Sequence, residues 1–378
     1  MTFDLVLAGG RVLDPSQAID RVTDVAFADG RVAAVGDGLA ARARQVHDAS
    51  GRIVTPGLID LHTHVYWGGT SLGVDAEALA RSGAVTTFVD TGSAGPGNFA
   101  GFRRHVVEAS PVRIVPLMSV SFAGIYAFSR RVNVGESADQ RLLSARDAVE
   151  VAQANRDVLG GLKVRVGRNA GGTSGLVPLD IAREGADEVG MPLMVHIDEP
   201  PPTLIEVLAR MRAGDILTHA FRPFPNAPVT ADGAVRPEVL DARARGVLFD
   251  IGHGMGSFAF SVGRSMLENG FLPDTISSDV HALCIDGPAF DLLTTMSKFL
   301  CLGMGLEAVV RAATQAPARA LGRADLGTFR AGAAGDASVL SLEAGEFGYV
   351  DSLGARLVGE TRLSAAATIV DGRLFHVN

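Results

Sequence analysis

Cysteine is scarce. Cys284 and Cys301 are the only two in 378 residues, too few for the disulfide framework of a small secreted domain, so reduced thiols in a cytosol fit best, with one bridge between them left open. Basic clusters are missing too. A formal net charge of -8 and no Lys/Arg block argue against a nucleic-acid or anionic-membrane surface. The N-terminal stretch MTFDLVLAGGRV lacks a basic segment followed by an apolar core, and no apolar run reaches the ~18 residues of a membrane helix. These absences leave a cytoplasmic protein whose partner is a small molecule, compatible with a homo-oligomer. Disorder is excluded in turn, because 47% of the residues are hydrophobic and 20% charged, the balance of a folded chain.

The length exceeds what one compact core usually holds, but suits a large α/β barrel with a smaller appendage. Residues 1–55 alternate short apolar runs with AGG and DG pairs, which read as hairpins of a small β unit. From Pro56 to Gly322 apolar strands alternate with Ala/Arg/Glu-rich helical stretches, the texture of parallel βαβ units. Eight strands are predicted there, over 57–64, 84–92, 112–120, 160–167, 192–199, 215–221, 246–254 and 274–281, with 306–322 as closing helix. The economical architecture is a (β/α)8 TIM barrel over 56–322. Residues 323–378 return to short strands with DG turns, so the two chain ends are expected to build one discontinuous β-sandwich, 1–55 with 323–378.

In such a barrel the reactive face lies at the C-terminal ends of the strands. Strand 1 ends in His62 and His64 within GLIDLHTH, strand 4 carries Lys163, strand 5 His196, strand 6 His219, and strand 8 ends in SSDVH with Asp279. Side chains alternate along a strand, so His62 and His64 point the same way and can bind one ion together. One such histidine reads as a hydrogen-bonded core residue; four at strand ends read as ligands, with zinc the natural partner of imidazole. Lys163 is the odd member. An ammonium beside two dications is repelled and burial disfavours it. Once deprotonated, the amine can add carbon dioxide, becoming a carbamate whose two oxygens can bridge a metal pair.

These residues resemble the amidohydrolase superfamily, in its binuclear-metal subtype with a carboxylated lysine. PGLIDLHTH together with the later Lys, His, His and Asp carries the resemblance, which spans nearly the whole chain. It implies one metal on His62, His64 and Asp279, a second on His196 and His219, and the Lys163 carbamate between them. It also implies a bridging hydroxide as nucleophile and Asp279 as general base, then acid. Dihydroorotases usually carry an Arg two residues past the second histidine, where this chain has Tyr66, which weakens cyclic dihydroorotate as substrate. HTHVYWGGTSLGVD, LKVR and DIGHG are most similar to deacetylase-type members acting on N-acyl amino acids or O-acetyl hydroxy acids. A cyclic-amide hydrolase of dihydroorotase or hydantoinase type and a catalytically silent scaffold barrel are the alternatives.

Four further residues are candidates for holding substrate. Tyr66 follows the histidine pair, Arg168 offers a guanidinium fork for a carboxylate, His253 stands between two glycines beyond strand 7, and His281 shares a face with Asp279.

Overall fold

The structure is a computed structural model and describes residues 2–377. The chain opens with β1 (Phe3–Asp14), β2 (Ile19–Ala28) and β3 (Arg31–Gly36), then β4 (Ala43–Asp48) and β5 (Ile53–Pro56). The DG pair behaves as its chemistry demands: Asp29 and Gly30 both take positive φ, 51° and 73°, in the tight turn joining β2 to β3. The AGG stretch does not. Instead of ending a hairpin it forms a bulge within β1, where the register shifts between Leu7 and Gly10. Gly9 adopts φ 70° there, and its N–H donates to Asp24 Oδ1 at 3.0 Å. Buried Leu5 and Leu7 before the bulge and Val12 and Leu13 after it favour continuing the strand over turning it. β4 and β5 run parallel to β1, so they are not hairpin partners either.

A seven-stranded parallel sheet follows, built from β6 (Leu58–Thr63), β7 (Val85–Thr91), β8 (Arg113–Ser119), β11 (Gly161–Val166), β12 (Leu193–Ile197), β13 (Ile216–Thr218) and β14 (Leu248–Phe249). The short hairpin β9 (Ala127–Phe128) and β10 (Asn133–Val134) lies between β8 and β11. Strands occupy seven of the eight expected stretches. The eighth is irregular, but it forms isolated parallel bridges to both sheet edges, Thr63 to Val280 and Asp250 to Thr275.

Helices pack outside the sheet and their starts follow local chemistry. Asp75 caps Ala76–Gly83 by accepting from Glu77 N–H, Ser144 caps Ala145–Ala154 through Asp147 N–H, and Thr203 with Glu206 forms a capping box. The expected closing helix is two, Leu306–Ala313 and Gln315–Ala320, broken at Thr314 where φ and ψ are -133° and -84°. Among the described residues no helix is long and apolar enough to cross a membrane.

The C-terminal strands are β15 (Ala337–Val350), β16 (Arg356–Val370) and β17 (Arg373–Val377). β15 pairs antiparallel with β5, joining both chain ends in one eight-stranded sheet ordered β17-β16-β15-β5-β1-β2-β3, with β4 beside β1. Phe27 of β2 and Ile369 of β16 share one apolar cluster, so this sheet curls over its own core. It also grips the first parallel strand. Gly57 N–H donates to Asp336 O at 3.0 Å, Leu58 N–H donates to Ser338 Oγ at 3.0 Å, and Ser338 donates to Ala84 O at 2.6 Å.

Candidate metal centre

β6 delivers His62 and His64 to the end of the parallel sheet. Their Nε2 atoms stand 3.3 and 3.2 Å from Asp279 Oδ1, and one ligand atom from each of these three residues falls within 4.8 Å of the others. Both rings are fixed from behind. His62 Nδ1 lies 2.7 Å from Thr218 Oγ1, whose hydroxyl donates to Asp250 Oδ2 at 2.7 Å. A hydroxyl that has given its proton to a carboxylate can only accept, so His62 Nδ1 carries the hydrogen and Nε2 turns a lone pair toward Asp279. His64 Nδ1 meets Ser93 Oγ at 2.9 Å. Asp279 is held at φ 48°, a conformation that non-glycine residues rarely adopt and that marks sites where side-chain placement outweighs strain.

β12 and β13 bring a second pair. His219, at φ 63°, has Nδ1 2.6 Å from Gly252 O, which makes that nitrogen the donor and frees Nε2. His219 Nε2 in turn faces His196 Nδ1 at 2.6 Å. His196 Nε2 is buried without a hydrogen-bond partner among the described residues. Gly252 is required where it stands, because a Cβ there would come within 2.3 Å of Thr218 Oγ1, 2.9 Å of His219 Nδ1 and 3.0 Å of His62 Nδ1.

The electrostatics fit a bound cation. Burial holds His62, His196 and His219 well below the usual imidazole range and His64 at about 3, so four neutral rings offer lone pairs. Burial pushes the Asp279 carboxyl up to about 6, against the pull of His281 and Lys163. Lys163 descends to about 7, chiefly through burial. Its Nζ lies 3.4 Å from His62 Nε2 and 3.3 Å from Met194 Sδ, with no oxygen acceptor among the described residues. Gly92 leaves room for its stem, since a Cβ there would sit 2.8 Å from Lys163 Cγ. Four neutral imidazoles, a carboxylate and an amine that sheds its proton near neutrality form a donor set suited to divalent ions.

A cavity of about 340 Å³ opens over these groups, lined among others by His62, His64, His196, His219, Asp279 and His281. That volume suits a small ligand. His281 thus stands at the cavity, its pKa lowered to about 4 by burial. Three other expected substrate contacts do not. Tyr66 turns away to pack on Phe102, with ring centroids 4.5 Å apart, and lines a separate pocket with Trp67 and His105. Arg168 is exposed because β11 ends at Val166 and Gly167, at φ 121°, turns the chain outward. His253 is buried, but its Nε2 faces Lys298 Nζ at 2.7 Å while Nδ1 meets Gly254 O at 2.9 Å.

The residues that fill those places are Arg165, which the sequence offered as a carboxylate fork beside Arg168 but which read better as half of a salt bridge, and Arg222 and Asp198, which sequence reasoning passed over. Arg165, two residues after Lys163 and on the same face, lines the cavity and pairs with buried Glu136 at 3.0 Å. Arg222, three residues after His219, lines it too. Asp198, two after His196, accepts from Asn169 and Ala170 N–H at 3.0 Å each. The period-two rule that selected His64 would have selected Asp198; Glu136 lies on a loop and left no pattern.

A parallel α/β sheet with histidines, a carboxylate and a buried lysine at its strand ends defines a class of hydrolases. No protein-family model matches the chain. It is 37% identical over 291 residues to a deacetylase of Agrobacterium fabrum, covering 77% of this chain and 71% of that one. Among solved structures it is similar to an adenine deaminase, with TM-score 0.92 and 28% identity over the whole of both chains. A dihydroorotase superposes with TM-score 0.88 and 30% identity over 98% of each chain. The chain belongs to the amidohydrolase superfamily and is a hydrolase of that superfamily.

Proposed function

We propose that the chain removes an acyl group, acetyl first of all, from the amide or ester of a small carboxylate-bearing molecule, an N-acyl amino acid or O-acetyl hydroxy acid. The observation that carries this reading is the convergence of four neutral imidazoles and Asp279 on one small cavity that also holds two arginines, with Lys163 Nζ 3.4 Å from His62 Nε2. The deacetylase named above supports the acyl group, and the arginines support the carboxylate.

His62, His64 and Asp279 would hold one divalent ion, His196 through Nδ1 and His219 through Nε2 a second, with zinc the expected metal. Lys163 Nζ, as neutral amine, would add carbon dioxide, lose a proton and bridge both through the carbamate. Such ions supply an activated water at neutral pH and polarise the scissile carbonyl. The Asp279 carboxylate takes the proton of the attacking water and returns it to the departing nitrogen or oxygen. The Thr218–Asp250 relay keeps His62 in the tautomer that presents Nε2. We also read the parallel sheet as closed by 274–281 into an eight-stranded barrel over 56–322, with 1–55 and 323–378 as a second domain.

The test is a panel of N-acetyl amino acids, O-acetyl hydroxy acids, dihydroorotate and hydantoins, run with metal analysis. The reading predicts about two divalent ions per chain and turnover of the acetylated acids. Turnover of only the cyclic amides would overturn the substrate class, and carefully purified protein without metal would overturn the mechanism.

A further inference from the structure

The cavity holds two arginines in different electrical situations. Arg165 Nη1 donates to Glu136 Oε2 at 3.0 Å, and both side chains are about nine-tenths buried or more, so its charge is compensated within the fold. Its guanidinium also lies over the Phe128 ring, 5.2 Å from the centroid. Arg222 is different. Its N–H donates to His219 O at 3.2 Å, and its Nη1 donates to Ile197 O, the carbonyl just after His196. The first of these is a backbone bond that ties Arg222 to the turn after β13, and the second sets the guanidinium at the end of β12, next to His196. Only 5% of the residue is exposed, yet Nε has no hydrogen-bond partner among the described residues. The nearest carboxylate in ion-pair range, Glu199 Oε1, stands 3.6 Å from Nη2 on a side chain 44% exposed. A buried guanidinium with unused donors is a costly arrangement that an anionic ligand relieves.

Resting on the deacylase reading above, we propose that Arg222 receives the substrate carboxylate, on the His196–His219 side of the cavity, and that Glu199 competes for the same guanidinium. Arg165, already paired, shapes the opposite wall. The substrate then lies with its carboxylate beside the end of β12, and Arg222 sets the preference for acids over neutral analogues.

The experiment compares an N-acetyl amino acid with its primary amide, in the metal-loaded wild type and in Arg222→Met, Arg222→Lys and Glu199→Gln. In Arg222→Met the acid-over-amide ratio of kcat/KM should fall about 10- to 100-fold, mainly through KM for the acid, the scale of a charge-assisted hydrogen bond. Arg222→Lys, which keeps the charge but loses the fork, should fall between. Glu199→Gln should raise the ratio a few-fold, and being half-exposed it serves if Arg222→Met fails to fold. An unchanged ratio in both Arg222 variants, or a lowered one in Glu199→Gln, overturns the assignment while leaving deacylation intact. A wild type that hydrolyses neither compound but opens cyclic amides overturns the deacylase reading and this assignment with it.

Discussion

The chain has 32 arginines and only two lysines, Lys163 and Lys298, and both are buried, with 1% and 0% exposure. Burial brings each amine down to about 7, yet their surroundings differ. Lys298 Nζ donates to Pro288 O at 2.6 Å and to His253 Nε2 at 2.7 Å, a pair of acceptors that suits an amine keeping its hydrogens. Lys163 Nζ meets the Met194 thioether at 3.3 Å and His62 Nε2 at 3.4 Å, a weak acceptor and a long contact. One lysine is a clamp between the loop after β14 and the loop before the helix Leu292–Cys301. The other has only these two weak contacts, which hold an amine less firmly than a carbonyl oxygen does. Burial alone does not separate a structural lysine from a reactive one; the polarity of the neighbouring atoms does.

Exchanging each lysine for methionine sharpens that contrast. Lys163→Met should remove bound metal and lower hydrolysis about 1,000-fold or more, the scale on which metal-activated water matters. Metal content and turnover measured together check it, and a fully loaded, active variant would erase the distinction. Asp279→Asn should lower kcat about 100- to 10,000-fold, the range of a lost general base and acid, while circular dichroism stays unchanged. Lys298→Met should act on stability first, costing about 1–3 kcal/mol at neutral pH by leaving two buried acceptors unpaired. Its pH signature has a definite sign. The amine titrates near 7 in the fold and near 10.5 unfolded, so between those values the unfolded chain binds the extra proton and stability rises with pH. The variant should flatten that rise in denaturant titrations at pH 7 and 9. Smallest of all, Arg168→Ala, on an exposed residue, should change kcat/KM less than about 3-fold; a larger loss would return that residue to the site.

What could be read in advance divides along the same physical line. His62, Lys163 and His196 on strands, and His64 one residue past the end of β6, were legible because alternation fixes where a side chain points. Tyr66, Arg168 and His253 lie beyond strand ends, the last two each just after a positive-φ glycine, Gly167 and Gly252, that redirects the chain, and their directions could not be inferred from spacing. The AGG pair shows the converse: glycine announces a positive φ, but whether it serves a turn or a bulge depends on the strand that pairs with it. Lys298 sits in LLTTMSKFLC, an amphipathic helix whose lysine looks solvent-bound until the loops that cover it are in place. The last stretch of the parallel sheet, 274–281, has a strand's composition and exchanges backbone hydrogen bonds with both sheet edges, but positive φ at Asp279 and at Gly252 and Gly254 beside it interrupts a regular ladder.

The hydrogen bond from Leu58 to Ser338 reaches across 280 positions, and it sets an order of events during synthesis. The stretch bearing both leading imidazoles leaves the ribosome early but is braced only when its distant partner emerges, so a nascent polypeptide presents loose histidines rather than a shaped pocket. On the function proposed above, metal loading and carbon dioxide capture would therefore follow the emergence of Ser338.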